Sequence, residues 1–210
     1  MNKNKIEKIV KDAWKMFCKD YDSRVSKYSK SLESEKEAMA EHWICWNEYD
    51  LMLQFGRFFY KELNEIGPDI ELHLEKNLSK SNFEKYSFAS KLLKLKGNLK
   101  RAPKVDLIIT SEKDQGLFSM CGEVKYLHYS VEGMNRGQKT VEQAIEKDLK
   151  TLLKIKELGI AESVVFIVLD DYYCLDENKS EKCKNIESLL QKYNKKIIIL
   201  SHNSCAAKLR

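Results

Sequence analysis

Two apolar runs in the C-terminal part of the chain, "SVVFIVLDD" and "KKIIILSH", constrain the fold more than any other feature. Each is nearly continuous rather than alternating, the pattern of a central parallel strand covered on both faces. Helical periodicity precedes both. Val141, Ile145, Leu149, Leu152 and Ile155 recur on one face over about 138–158, and Gly159 is a suitable stop. A further helix is predicted over about 178–194. Strands alternating with helices require an α/β layering.

The pattern extends back to Asn47, a suitable N-cap for "NEYDLMLQFGRFFYKELNEIG". Leu51, Phe55, Phe59, Leu63 and Ile66 form its apolar stripe, flanked by Met52, and Gly67 and Pro68 end it. "DIELHLE" alternates as a half-buried strand does, and a short helix is predicted around Phe83 to Leu95. "VDLII" and "MCGEVKYL" then read as two strands, a plausible antiparallel pair across the turn formers of "TSEKDQG". The expected fold is therefore α/β, a mixed sheet flanked by helices with core order α-β-β-β-α-β. Residues 47–210 form that domain and residues 1–46 an added N-terminal helical segment. In that segment Ile6, Ile9, Val10, Ala13, Trp14 and Phe17 share a helix face, and Ser34 with Glu37 suggests a capping box for a second helix through Trp43.

No apolar run reaches the roughly 18–20 residues that span a bilayer, and the N-terminus has no signal-like apolar segment, so a soluble cytoplasmic protein with no membrane partner is expected. Six cysteines without a C-x-x-C pair read as reduced, mostly buried thiols rather than a zinc or redox site. His42, His73, His128 and His202 show no metal spacing, and dinucleotide, Walker and G-x-S-x-G motifs are missing. The net charge of +5 is too mild to imply a polyanion partner. Local density says more: "KLLKLKGNLKRAPK", Lys91 to Lys104, holds six basic residues and no acid. Lys94, Lys96, Lys100, Arg101 and Lys104 are accordingly candidates for phosphate contacts.

Three charges occupy positions where a core strand has no use for them: Asp106 in the first strand of the predicted pair, Glu123 and Lys125 in the second. Side chains at i and i+2 share a face, so Glu123 and Lys125 are neighbours. How close Asp106 comes depends on register, which the sequence leaves open. Two carboxylates held together repel, and a divalent cation removes that penalty. Mg²⁺ (or Mn²⁺) suits such hard oxygen ligands. Lys125 beside it could orient or deprotonate a water or stabilise developing negative charge, an arrangement suited to a phosphodiester. The bland alternative is an exposed acid near a surface Glu–Lys pair. Glu48 shares the apolar face of its helix and is either a first-turn acid favoured by the helix dipole or a carboxylate aimed at the site. Asp148, on the buried side of the 138–158 helix, either supports the site or pairs with a neighbouring base. Asp170 and Asp171 end a core strand and are weaker candidates.

"PKVDLII" and "CGEVKY", set in a helix, three strands, helix, strand order, resemble the PD-(D/E)XK nuclease superfamily. The likeness is to Holliday-junction resolvases and RecB-like nucleases and covers about residues 47–170. It implies a restriction-endonuclease-like fold and Mg²⁺-dependent hydrolysis of DNA, by an endonuclease in the first instance. It also implies Asp106 and Glu123 as metal ligands and Lys125 serving the attacking water. The helix-borne glutamate of many members is matched best by Glu48, with Gln54 and Glu62 as alternatives. Pro103 stands three residues before Asp106 rather than beside it, and the Q-x-x-x-Y motif of RecB-type enzymes is missing. Many such nucleases act as homodimers, which the likeness allows here. The rival expectations are a DNA-binding protein that does not cut, and a protein–protein adaptor.

Overall fold

The computed structural model describes residues 3–30, 45, 47–64, 70–96, 102–111, 116–127, 138–171 and 184–204. In chain order the elements are α1 (Lys3–Lys30), α2 (Glu48–Asn64), β1 (Ile70–Asn77), a 3-10 turn (Ser81–Phe83), α3 (Ala89–Lys96), β2 (Lys104–Ser111), β3 (Phe118–Leu127), α4 (Gln138–Glu157), β4 (Ala161–Asp170), α5 (Lys184–Tyr193) and β5 (Ile198–Asn203). The chain is α/β, with a five-stranded mixed sheet in the order β1-β2-β3-β4-β5. β2 pairs antiparallel with both β1 and β3, while β3, β4 and β5 pair in parallel. The change of sense falls where α4 and α5 separate consecutive strands, because parallel neighbours need a crossover.

Side chains alternate between the two faces of the sheet, and each face has its own core. On one, Ile108, Cys121, Phe166 and Val168 pack with Leu92 and Leu95 of α3, Ile145, Leu149 and Leu152 of α4, and Ile186 and Leu190 of α5. On the other, Leu107, Met120, Val124, Val165 and Ile167 pack with α1 and α2. Covering both faces explains why β4 is an unbroken apolar run. Gly122 sits between Leu107 of β2 and Val165 of β4 in the register. A Cβ there would stand 2.7 Å from Val165 Cγ1 and 2.8 Å from Leu107 Cγ, so close strand packing requires glycine.

α1 is joined to α2 by aromatic contacts. Trp14 meets Phe55 edge-on at 5.9 Å between ring centres, and Phe17 meets Phe55 at 6.4 Å. Asn47 caps α2 as expected, its Oδ1 accepting from the Asp50 N–H at 3.1 Å. Gly159 ends the α4 segment with φ +61°, the left-handed conformation glycine adopts without penalty.

Three expectations are corrected. The run "KKIIILSH", read as a central strand, forms β5 at the edge of the described sheet, where Ile198 and Ile199 are only half-buried. Val141 is 38% exposed, so the buried stripe of α4 begins at Ile145. The helix predicted from Phe83 divides into a 3-10 turn and a helix that starts at Ala89. Tertiary packing takes precedence there: Phe83 and Phe88 both close on Phe118 of β3, at 4.9 and 4.5 Å between ring centres. The predicted Ser34–Glu37 capping box and the Gly67–Pro68 stop lie outside the described residues. Cys18, Cys45 and Cys121 are buried free thiols. Burial pushes Cys18 and Cys45 up to about 12, which leaves them unreactive near neutral pH. Among the described residues no helix is long and apolar enough to cross a membrane.

Candidate functional site

The β2–β3 register decides what the sequence left open. Leu107 pairs with Gly122, Ile108 with Cys121 and Ile109 with Met120, so the paired ladder stops one step short of Asp106 and Glu123, which follow it on the two neighbouring strands. The Asp106 carboxylate reaches over to β3 and accepts the Val124 N–H at 2.8 Å. On the other flank of β2, the pairs Leu74–Leu107 and Lys76–Val105 leave Glu75 opposite Asp106. Glu75 has φ 55°, a left-handed conformation uncommon outside glycine. The sheet is thus irregular on both sides of Asp106. Backbone of this kind costs roughly 1–3 kcal/mol and is often stored at functional sites.

Glu123 is 5% exposed, although it carries a carboxylate within a central strand. Burial, then the Asp106 and Asp148 carboxylates, push its pKa well above the usual range, and the nearby Lys125 only partly offsets them. This is an acid in an environment built against its charged form.

Lys125, two positions on, emerges on the same face. Its Nζ lies 3.1 Å from Asp148 Oδ2 of α4 and 3.3 Å from Glu48 Oε1 of α2. Burial alone would lower the ammonium's pKa. Asp148 and Glu48 outweigh it and hold the group above its ordinary range. Lys125 therefore stands as a cation, suited to binding or orienting an anion or a water and unsuited to deprotonating one. Glu48 sits in the first turn of α2, and burial raises its pKa despite Lys125.

The fold thus brings Asp106, Glu123, Lys125 and Glu48 together with Asp148. Gln54 is turned to Arg24 and Arg57, at 3.4 and 3.3 Å. Glu62 is fourteen residues beyond Glu48 on the same helix, roughly 21 Å along the axis at the α-helical rise. Of the basic run, Lys94 is exposed on α3, and Lys96 is the last residue of that helix. Lys104 is ion-paired with Glu75 and lies 5.9 Å from the centre of the Tyr49 ring. Lys100 and Arg101 lie outside the described residues.

Among the described residues no three His, Cys, Asp or Glu side chains stand together as a ready metal-ligand group. The set places two carboxyl groups on neighbouring strands, one of them deeply buried, with Glu48 close enough to both Asp106 and Lys125 to feel their charges. Glu48 in this arrangement is turned to Lys125.

Asp170 and Asp171 have a different role. Asp171 is fully buried and accepts hydrogen bonds from Tyr21 Oη at 2.5 Å, Tyr126 Oη at 2.6 Å and the Ser204 hydroxyl. Backbone bonds fix the same corner: Asp171 N–H to Leu127 O at 2.8 Å and Ser204 N–H to Asp170 O at 3.0 Å. The knot ties α1, β3, β4 and the end of β5. Its partners are up to 150 residues apart, so no local pattern announces it. His73 faces Thr110 at 3.1 Å and His202 faces Asp22 at 3.0 Å, each engaged within the fold.

No family model, curated protein or solved structure matches the chain.

Proposed function

We propose that the protein is a divalent-metal-dependent nuclease of the PD-(D/E)XK type, with a restriction-endonuclease-like core, that hydrolyses phosphodiester bonds in DNA. The observation that carries this reading is the placing of Asp106 and the buried Glu123 on neighbouring strands just past the β2–β3 ladder, with Lys125 on the same face of β3 as Glu123. A sheet gains nothing in stability from two carboxylates at short range. It gains a site when a cation is shared between them.

Asp106 and Glu123 would hold Mg²⁺ or Mn²⁺, with Glu48 as the third carboxylate able to turn from Lys125 toward it. Bound there, a divalent ion supplies an acidified water and charge neutralisation at phosphate. Lys125 contributes a fixed positive charge, which orients the water and stabilises the charge that develops on the phosphate oxygens. The hydrogen bond from the Val124 N–H keeps Asp106 aimed at β3, so the ligand pair is preorganised by backbone. Lys94, Lys96, Lys100, Arg101 and Lys104 supply the phosphate-binding surface, in keeping with a stretch of six basic residues free of acids.

Incubation of purified protein with single-stranded, duplex and branched DNA tests this directly. Cleavage is expected with Mg²⁺ or Mn²⁺ and is lost in EDTA, while Lys125→Ala binds DNA and cuts it about 10²–10³-fold more slowly. Inert wild-type protein across all three substrates with either ion sinks the proposal. Binding without cleavage in that panel would favour a DNA-binding protein that keeps the architecture alone.

A further inference from the structure

Lys125 has two acidic partners, and they are not equivalent. Asp148 is in the middle of α4, between Ile145 and Leu149, both fully buried against the sheet. Glu48 is the first residue of α2, where a helix frays and holds its side chains least firmly. The Asp148 side chain is 20% exposed and Glu48's is 41% exposed. Both partners of the Asp148–Lys125 pair thus project from rigid elements, the central strand and a helix packed on it. The Glu48–Lys125 pair joins that strand to a helix end.

We infer that Asp148 is the positioning residue that fixes Lys125, which leaves Glu48 the exchangeable partner that can turn to a cation without releasing the lysine. The inference rests on the nuclease reading and adds to it a division of labour among the acids. Two carboxylates, Asp148 at 3.1 Å and Glu48 at 3.3 Å, hold one ammonium. Were both given to metal, Lys125 would have no fixed partner and would sample its rotamers freely. A reacting group misplaced by about 1 Å can cost on the order of 10²-fold in rate. With Asp148 retained, the ammonium stays where the strand delivers it. Asp148 does not touch the reacting atoms; it acts through Lys125.

The test combines single-turnover cleavage with Mn²⁺ affinity measured by calorimetry on the full chain. Asp148→Ala is expected to slow cleavage about 10–100-fold, the usual effect of losing an outer-shell partner. Its DNA affinity and Mn²⁺ affinity should stay at wild-type values. Asp148→Asn, which keeps an acceptor oxygen of the same reach, should recover part of the rate and covers the case in which the alanine variant folds poorly. Glu48→Gln should show the opposite signature, weaker Mn²⁺ binding. Two results overturn the inference while the nuclease reading stands: an active wild type with Asp148→Ala cutting at the same rate, or Asp148→Ala losing Mn²⁺ affinity as Glu48→Gln does. Wild-type protein that cuts no DNA overturns the nuclease reading and takes this inference with it.

Discussion

Glu123 and Asp171 are both carboxylates buried in the same sheet, 5% and 0% exposed, and their surroundings are opposite in kind. Asp171 is met by donors, two phenols and a serine hydroxyl, and each hydrogen bond stabilises its charge. The cost falls on the phenols, since burial and the Asp171 charge hold the pKa values of Tyr21 and Tyr126 well above the usual range. Glu123 is met by acids, and its own pKa rises instead, through burial first and those acids second. A buried carboxylate ringed by donors needs nothing further and reads as architecture. One ringed by carboxylates is incomplete as it stands and reads as a site. The contrast separates two residues that share type, burial and sheet and differ in what they face.

Variants on each side can break that distinction, and the largest effect should fall on chemistry. Lys125→Ala is expected to lower the cleavage rate by about 10²–10³-fold, the scale of a lost electrostatic stabiliser, with little change in melting temperature. Asp171→Ala should do the reverse. It orphans buried hydroxyls at about 1–3 kcal/mol each, so a loss near 3 kcal/mol in urea unfolding is expected. A comparable loss of stability in both variants would erase the contrast.

Gly122→Ala probes the strand packing at the end of the β2–β3 ladder, next to Asp106 and Glu123. The new methyl group must displace Leu107 or Val165, and about 1–3 kcal/mol of destabilisation should follow. Unchanged stability would mean that the strands are more loosely apposed than the distances indicate.

The smallest effect has the least ordinary sign. The folded-state pKa of Glu123 lies above its unfolded value near 4.5, so the folded chain holds more protons through the interval between the two. Metal-free protein should therefore lose stability as pH rises from about 4.5 through the raised value. Glu123→Gln should remove that slope and stabilise the metal-free fold near neutral pH by about 0.5–2 kcal/mol. A pH-independent melting temperature in wild type, or a destabilised glutamine variant, would mean that Glu123 is not opposed by its neighbours.

Much of the fold was legible in the sequence because its signals are local. The unbroken run of β4 announced a strand covered on both faces, and the periodicity of α1, α2 and α4 matches the buried faces found in the structure apart from Val141, with Ile66 outside the described residues. Charges inside apolar strands singled out Asp106, Glu123 and Lys125, since such charges are misplaced unless something answers them. The register that brings the first two to the same end of the β2–β3 ladder was not legible, because a strand pair slides without changing its local pattern. Nor was the Tyr21–Asp171–Tyr126–Ser204 knot, whose members meet only in the folded chain. Phe83 to Phe88 misled the helix prediction because their rings pack on Phe118 rather than along a helix face.

The central claim is that Asp106 and Glu123 form a cation site and Asp171 does not. Calorimetric titration of the metal-stripped chain with Mn²⁺ tests it most directly. Wild-type protein and an Asp171→Asn variant should bind with the same affinity, while Asp106→Asn and Glu123→Gln should lose most of it. Undetectable binding in the wild type, or an affinity unaltered by Asp106→Asn and Glu123→Gln, would contradict the claim.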